Sequence, residues 1–298
     1  MKNYLKLIRI EQWVKNFFVF LPLFFSGHFF NDGLLLKSVY AFFVFSFAAS
    51  CIYIINDYSD IEADRRHPEK CNRPLASGKI GRRTALLLLG ALLVTVILLI
   101  CWGGAYLSGN LWKFAFIIIF YFVMNLAYTF HLKHVAIIDV CIVALGFVLR
   151  VLAGGYATGI FISQWAILLT FVLALVLALG KRRGELINAQ ISGKTRRALD
   201  GYNVQFADIA LSVSVALAIV SYLMFTLTSE VQERFGMKVF YTFIFVVFAF
   251  LRYLQQTLVY NKTESPTKIV YKDRYIQITV ILWGLSFLGL IYDNYLMQ

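Results

Sequence analysis

Long apolar runs separated by short polar stretches recur from one end of the chain to the other. FFVFSFAASCIYII, at 42–55, carries no charged side chain. A helix needs roughly 17 to 25 mostly apolar residues to cross the hydrocarbon core of a bilayer. Runs of that kind place spans near 14–30, 34–56, 84–104, 111–129, 135–155, 163–180, 207–228, 236–260 and 276–293. The pattern predicts an all-α integral membrane protein with nine transmembrane helices. The preceding MKNYLKLIRIEQW, residues 1–13, is basic and ends in Trp13. It reads as an interfacial segment, because no small-x-small cleavage site follows to mark a signal peptide. The runs leave no soluble domain over, so residues 1–298 read as one polytopic membrane domain.

Composition agrees: 60% of the 298 residues are hydrophobic and the mean hydropathy is +0.73, beyond the apolar share of soluble domains. Charge adds an orientation. Lys2, Lys6, Arg9 and Lys15 lie at the N-terminus, and further basic residues gather in 57–82, at Lys133, in 181–206 and in 262–274. The opposite ends of the spans hold Lys37, Lys113, Arg234 and Lys238. By the positive-inside rule the N-terminus and the two long polar segments, 57–82 and 181–206, are cytoplasmic and the C-terminus lies outside a bacterial-type plasma membrane. The net charge of +12 is accounted for by topology and anionic lipid, with no nucleic-acid partner invoked. Oligomeric state, homo-oligomers included, stays open.

Cys51, Cys71, Cys101 and Cys141 show no CxxC or metal spacing and read as small apolar residues, not a disulfide framework. Asn261-Lys-Thr matches a glycosylation acceptor but falls on the predicted cytoplasmic side.

Topology does not explain NDYSDIEADRRHPEKCNRPLASG, residues 56–78, which directly follows an uncharged span. If the second helix continues, Asn56, Asp60 and Asp64 are spaced by four, and Asp57 precedes Asp60 by three and Asp64 by seven. These spacings stack the carboxylates on one face, where like charges repel, so something cationic is expected among them. Mg²⁺ prefers oxygen ligands and commonly joins one or two carboxylates to substrate phosphates. Asn56, Asp57, Asp60 and Asp64 are therefore the candidate metal residues, Asn56 either as a carbonyl ligand or orienting a neighbouring carboxylate; the alternative is a solvated helix end held by intrahelical ion pairs. Arg65, Arg66, Lys70 and Arg73 are candidates to hold phosphate oxygens, with Lys15 added from the N-terminal segment.

NDYSDIEAD fits the NDxxDxxxD motif of the UbiA superfamily of intramembrane prenyltransferases, which the chain resembles. Within it, EQWVKNFFVFLPLFFSG, the 56–78 stretch, DVCIVALGFVLRVLAGGYATG and SQWAILLTFVLALVLALGKRRGEL resemble the decaprenyl-phosphate phosphoribosyltransferase branch along nearly the full length. The resemblance implies a UbiA-type nine-helix bundle with cytoplasmic catalytic loops. It also implies magnesium-dependent transfer of 5-phosphoribose from phosphoribosyl diphosphate to a polyprenyl phosphate, with release of diphosphate. The second DxxxD motif of ordinary prenyltransferases is missing: GKRRGEL stands there, and Asp200 and Asp208 are eight apart. Lys181, Arg182 and Arg183 suit a further phosphate or simply flank the sixth span, and Glu185 either orients them or assists a metal. In the superfamily a Tyr and a basic residue at the hairpin after the fourth span face the diphosphate, which points to Tyr128 and Lys133. His131 and His134 are not assigned a metal.

Arg150 lies within a span, where a cation is a functional hypothesis by default. It is expected either to bind the lipid or ribose phosphate or to bond backbone carbonyls near the glycines. Gly146, Gly154 and Gly155 are expected as close helix-packing positions. The expected reaction is displacement at the anomeric carbon by the lipid phosphate, with Asp57, Asp60, Asp64 and Lys133 carrying catalysis. A prenyltransferase acting on a polyprenyl diphosphate is the competing enzyme reading. A transporter is disfavoured, because the polar residues gather at one interface and not at the midplane.

Overall fold

The computed structural model describes residues 2–27, 31–66, 70–103, 107, 110–192, 200–261 and 272–296. Lys194, Arg196, Arg197, Lys262 and Lys268, counted above in the basic flanks, lie outside the described residues. The α-helices are α1 Lys2–Leu7, α2 Leu21–Phe25, α3 Asp32–Ser59, α4 Ile61–Arg65, α5 Arg82–Trp102, α6 Leu111–Phe130 and α7 Ile138–Thr158. They continue with α8 Gln164–Ser192, α9 Val204–Thr226, α10 Ser229–Phe235, α11 Phe243–Leu254 and α12 Arg274–Leu296. Among the described residues, seven helical segments are long and apolar enough to cross a membrane, the seventh being Met237–Val259, which joins a 3₁₀ turn, α11 and a π-helical turn. The protein is an all-helical integral membrane protein among its described residues.

Two stretches differ from expectation. The expected first span, 14–30, is not one α-helix: Ile10–Phe20 is a 3₁₀ helix that runs into the five-residue α2. A 3₁₀ helix repeats every three residues, so residues i and i+3 share a face. The row Trp13, Asn16, Val19 accordingly points inward: Trp13 Nε1 donates to Ser50 Oγ at 3.1 Å, Asn16 Nδ2 donates to Ser46 Oγ at 2.9 Å, and Val19 is buried. An α-helix would rotate this row away from the two serines, which sit one turn apart on α3. The second difference is at 181–206, expected as loop from its start. There α8 instead continues to Ser192, since 181–189 contains no proline and Glu185 pairs with Lys181 and Arg182 at i,i+4 and i,i+3.

The chain divides into two units, one of residues 1–133 and 146–162, the other of residues 134–145 and 163–298. In the first unit α3 packs on α5, α6 and the 3₁₀ helix. The apolar stretch of α3 is 67% buried, that of α5 only 11%, so α3 is the core of this unit and α5 offers side chains such as Leu87 and Leu98 to lipid. One apolar cluster centres on Phe45, Phe114 and Tyr121, and a second joins Leu7, Ile54, Ile61, Leu75, Ile80 and Ala85. Gly154 lies directly against the Val19 backbone, where a Cβ has no room. In the second unit α8 packs on α9 and α11 on α12, around Val176, Leu211, Val215 and Phe250.

Candidate active site

The polar end of α3 is where the acidic motif is assembled. The helix ends at Ser59, yet the amide of Asp60 still bonds the Asn56 carbonyl at 3.0 Å and that of Asp64 the Asp60 carbonyl at 2.7 Å. Helical spacing therefore carries over the break into α4. Asp57 and Asp64 are buried, and Asp60 and Asn56 are half-buried.

A cation sits among the carboxylates, as their repulsion demands. Arg73 Nη1 donates to Asp57 Oδ1 at 3.1 Å and to Asp64 Oδ2 at 2.6 Å. Arg9 Nη2 also bonds Asp57 Oδ1, and Lys133 Nζ donates to Asp60 Oδ1 at 2.7 Å. Three carboxylates thus meet three cations, all within the first unit. A buried carboxylate without its partner loses several kcal/mol, so this neutralisation is what lets Asp57 and Asp64 leave water.

The remaining expected residues are more dispersed. Arg65 donates to Glu62 at 3.1 Å and to the Ala76 carbonyl at 3.2 Å, tying α4 to the turn after the motif. Arg66 is exposed, and Lys15, Lys70 and Tyr128 are half-buried. His131 and His134 are exposed. Of the two roles open to Arg150, bonding to backbone is the one seen: Nη1 donates to the Gly146 carbonyl at 2.7 Å and Nε to Asn16 Oδ1 at 2.7 Å. Its guanidinium faces the rings of Phe45, Tyr121 and Phe147. Such cation–π contacts and the shielded hydrogen bonds offset the cost of a cation within a span.

In the second unit, Arg182 and Arg183 are turned inward onto carboxylates. Arg182 Nε donates to Asp139 Oδ2 at 2.6 Å and Nη1 bonds Glu185. Tyr202 donates its hydroxyl to Asp139 Oδ1 at 2.8 Å and accepts from the Ile137 amide at 2.6 Å. Burial, then the bond to Asp139, pushes the Tyr202 phenol above its ordinary range, so it stays a donor. Arg183 bonds Asp208, the Thr257 carbonyl at 2.7 Å and Asn261 Oδ1 at 2.9 Å. Lys181 is exposed, 3.8 Å from Glu185.

Two groups escaped the sequence reading. The sequence places Arg9 only in a basic flank and gives Tyr202 no role. Arg9 was findable: Ser46, Ser50, Tyr53 and Asp57 recur at steps of four, three and four on an otherwise apolar helix, a polar stripe awaiting partners.

A profile of the UbiA prenyltransferase family matches residues 17–278. The chain belongs to the UbiA prenyltransferase family. Among UbiA relatives, it is 35% identical to the decaprenyl-phosphate phosphoribosyltransferase of Mycolicibacterium smegmatis, covering 94% of this chain and 89% of the relative. The enzyme of the same name from Corynebacterium glutamicum is 32% identical, over 94% of this chain and 83% of the relative. A UbiA homolog from Archaeoglobus fulgidus, solved bound to DMAPP and Mg²⁺, superposes with a TM-score of 0.66 at 18% identity, over 97% of this chain and 99% of that one. At that identity the likeness establishes the UbiA fold.

Proposed function

We propose that the protein is a membrane phosphoribosyltransferase that moves 5-phosphoribose from phosphoribosyl diphosphate to a polyprenyl phosphate such as decaprenyl phosphate, releasing diphosphate. The observation that carries this reading is the convergence of Asp57 and Asp64 on one nitrogen of Arg73, with Lys133 on neighbouring Asp60, at the polar end of a lipid-embedded helix. The two UbiA relatives named for this activity support it over 89% and 83% of their lengths.

The donor set fits magnesium. Two carboxylates already share one cationic atom, and Mg²⁺ commonly takes one or two carboxylates together with substrate phosphates. Among the described residues no cluster of three such ligands is formed, so Asp57 and Asp64 would hold the ion, with Asp60 and Asn56 at hand. When bound, it supplies Lewis-acid neutralisation of the departing diphosphate. Lys133 and Arg73 then hold diphosphate oxygens as charge gathers on them. Lys15, Arg65, Lys70 and Tyr128 hold the phosphates in place; in the second unit, taken by itself, the exposed Lys181 suits a phosphate. The lipid phosphate is already anionic and needs no strong base, so its oxygen attacks the anomeric carbon from the face opposite the leaving group, with inversion. Holding two anionic groups at reacting distance is the main contribution of the side chains. Transfer of a prenyl group instead would call for a second carboxylate site, and Asp208 is occupied by Arg183.

The reading includes nine crossings. The 3₁₀ helix at about 2.0 Å per residue and α2 at about 1.5 Å together reach about 30 Å, a bilayer core, and α12 supplies the ninth. The N-terminus and the acidic motif face the cytoplasm, the source of the water-soluble donor.

The test is transfer of ribose-labelled phosphoribosyl diphosphate into organic-extractable lipid by purified protein with magnesium and decaprenyl phosphate. Label should appear, and should vanish with EDTA and with Asp60→Asn. Consumption of a polyprenyl diphosphate with an aromatic acceptor, and no labelled lipid, would overturn the reading.

A further inference from the structure

Arg9 is built into the acidic site by an arrangement that helix packing alone does not require. Its backbone is left-handed, at φ 52° and ψ 51°. That conformation is unfavourable for a residue with a side chain and persists only where its surroundings impose it. Those surroundings are the polar stripe of α3. Ser50 Oγ donates to the Ile8 carbonyl at 2.8 Å and accepts from Trp13 at 3.1 Å, clamping the chain on both sides of Arg9. Tyr53, one turn further along, lies under the guanidinium at 4.9 Å from its centroid. Asp57, the next residue of the stripe, accepts its hydrogen bond. One face of α3 thus fixes the backbone, the side-chain path and the endpoint of Arg9.

The electrostatics of the endpoint matter. Asp57 and Asp64 carry two negative charges, and Arg9 and Arg73 bring two positive ones. A divalent cation arriving alone meets a neutral, already paired site and must displace a guanidinium into less favourable surroundings. A cation arriving with a diphosphate brings the displaced arginine a new partner, and guanidinium binds phosphate oxygens as well as it binds carboxylate.

We infer that Arg9 is a placeholder cation: it occupies Asp57 in the ligand-free protein and moves onto the diphosphate when metal and diphosphate enter, making the two ligands depend on one another for binding. The inference rests on the metal–diphosphate reading above and adds Arg9 as a residue that touches the donor substrate. Such coupling is reciprocal: diphosphate tightens magnesium by the same factor as magnesium tightens diphosphate.

The experiment is calorimetric titration of the full-length protein in nanodiscs with MgCl₂, with and without inorganic diphosphate, for the unmodified protein and for Arg9→Gln. The unmodified protein should bind magnesium weakly alone and about tenfold or more tightly with diphosphate. Arg9→Gln should bind magnesium alone more tightly, because one of its two guanidinium competitors is gone and only Arg73 remains, while the enhancement by diphosphate falls severalfold. Ser50→Ala keeps the guanidinium but removes the clamp. It should lose part of the enhancement, which also covers the case in which Arg9→Gln folds poorly. If the unmodified protein shows the coupling and both variants retain it in full, Arg9 has no such role, and the transferase reading stands. If the unmodified protein binds no magnesium with diphosphate, the metal–diphosphate reading falls and this inference with it.

Discussion

The acidic motif of the first unit and the Arg182–Asp139–Tyr202 network of the second are made of the same chemistry, carboxylates bonded to arginines, but in different environments. At the motif the carboxylates are buried and their cations lie partly open, with 19% of the Arg9 side chain and 26% of Arg73 exposed. In the network both sides are buried, with Arg182 at 5% and Asp139 at 0%. A pair with one member at the solvent boundary can exchange partners at modest cost. A fully desolvated pair cannot, because separating it strands a charge. The first arrangement suits a binding site and the second a lock, holding the chain at Asp139 to α8 and to Tyr202. Ile137, which the Tyr202 hydroxyl bonds, has φ 70°, an outlier for a β-branched residue, as a tightly held segment permits.

The comparison breaks most visibly if the two regions answer mutation alike. Asp64→Asn removes a carboxylate from the exchangeable pair while keeping its shape. Transfer of labelled ribose to lipid should fall about a thousandfold, in the range seen for loss of one transition-state electrostatic contact, with thermal stability little changed. Asp139→Ala leaves Arg182 with Glu185 alone and takes the acceptor from the Tyr202 hydroxyl, and should destabilise the protein by about 3–5 kcal/mol. The protein that remains folded should keep nearly full turnover. Thermal denaturation of nanodisc samples beside the same transfer assay separates the two. Lost turnover with unaltered stability in Asp139→Ala would make the network catalytic and dissolve the distinction.

A smaller effect sharpens the role of the N-terminal segment. Gly154→Ala pushes a methyl into the Val19 backbone, and the 3₁₀ helix that carries Val19 also follows Arg9. Overpacking of this kind costs about 1–3 kcal/mol. The expected signature is a lowered melting temperature together with weaker coupling of magnesium and diphosphate. A stability loss with full coupling would show that the Ser50 clamp alone fixes Arg9.

How much of this was legible beforehand differs by element. The spans at 84–104, 111–129 and 207–228 match α5, α6 and α9 within a few residues, because apolar length in a bilayer leaves the backbone no choice but helix. The carboxylate face of 56–64 was legible too, from its spacing. Arg182 and Arg183 were not: a basic triplet after a span looks alike whether it faces phosphate or turns inward, and the turn is decided by Asp139 and Asp208, far away in sequence. The 3₁₀ form of 10–20 was equally hidden, since its period follows from the serines it meets on α3.

The smallest effect tests whether a half-open pair in the second unit behaves as the comparison requires. Asp273 stands just before α12, accepting from the Ile276 amide at 3.1 Å, from Gln256 at 2.7 Å and from Arg252 at 3.0 Å. Burial pushes its carboxyl up, but the bonds from Arg252 and the backbone outweigh this and hold it below the usual carboxylate range. A carboxyl whose folded value is depressed adds stability above the unfolded value, about 3.9, and loses it as pH falls through the lower folded value. Asp273→Asn should therefore lower the melting temperature slightly at pH 7, and the gap should close as pH drops below about 4. The N-cap bond to Ile276 can survive in the amide, so what disappears is the charge. A gap that persists undiminished in acid would mean that the carboxylate acts through shape alone. Closure in acid, with turnover at pH 7 unaltered, would show that a half-open pair outside the acidic motif stabilises only modestly, as the comparison requires.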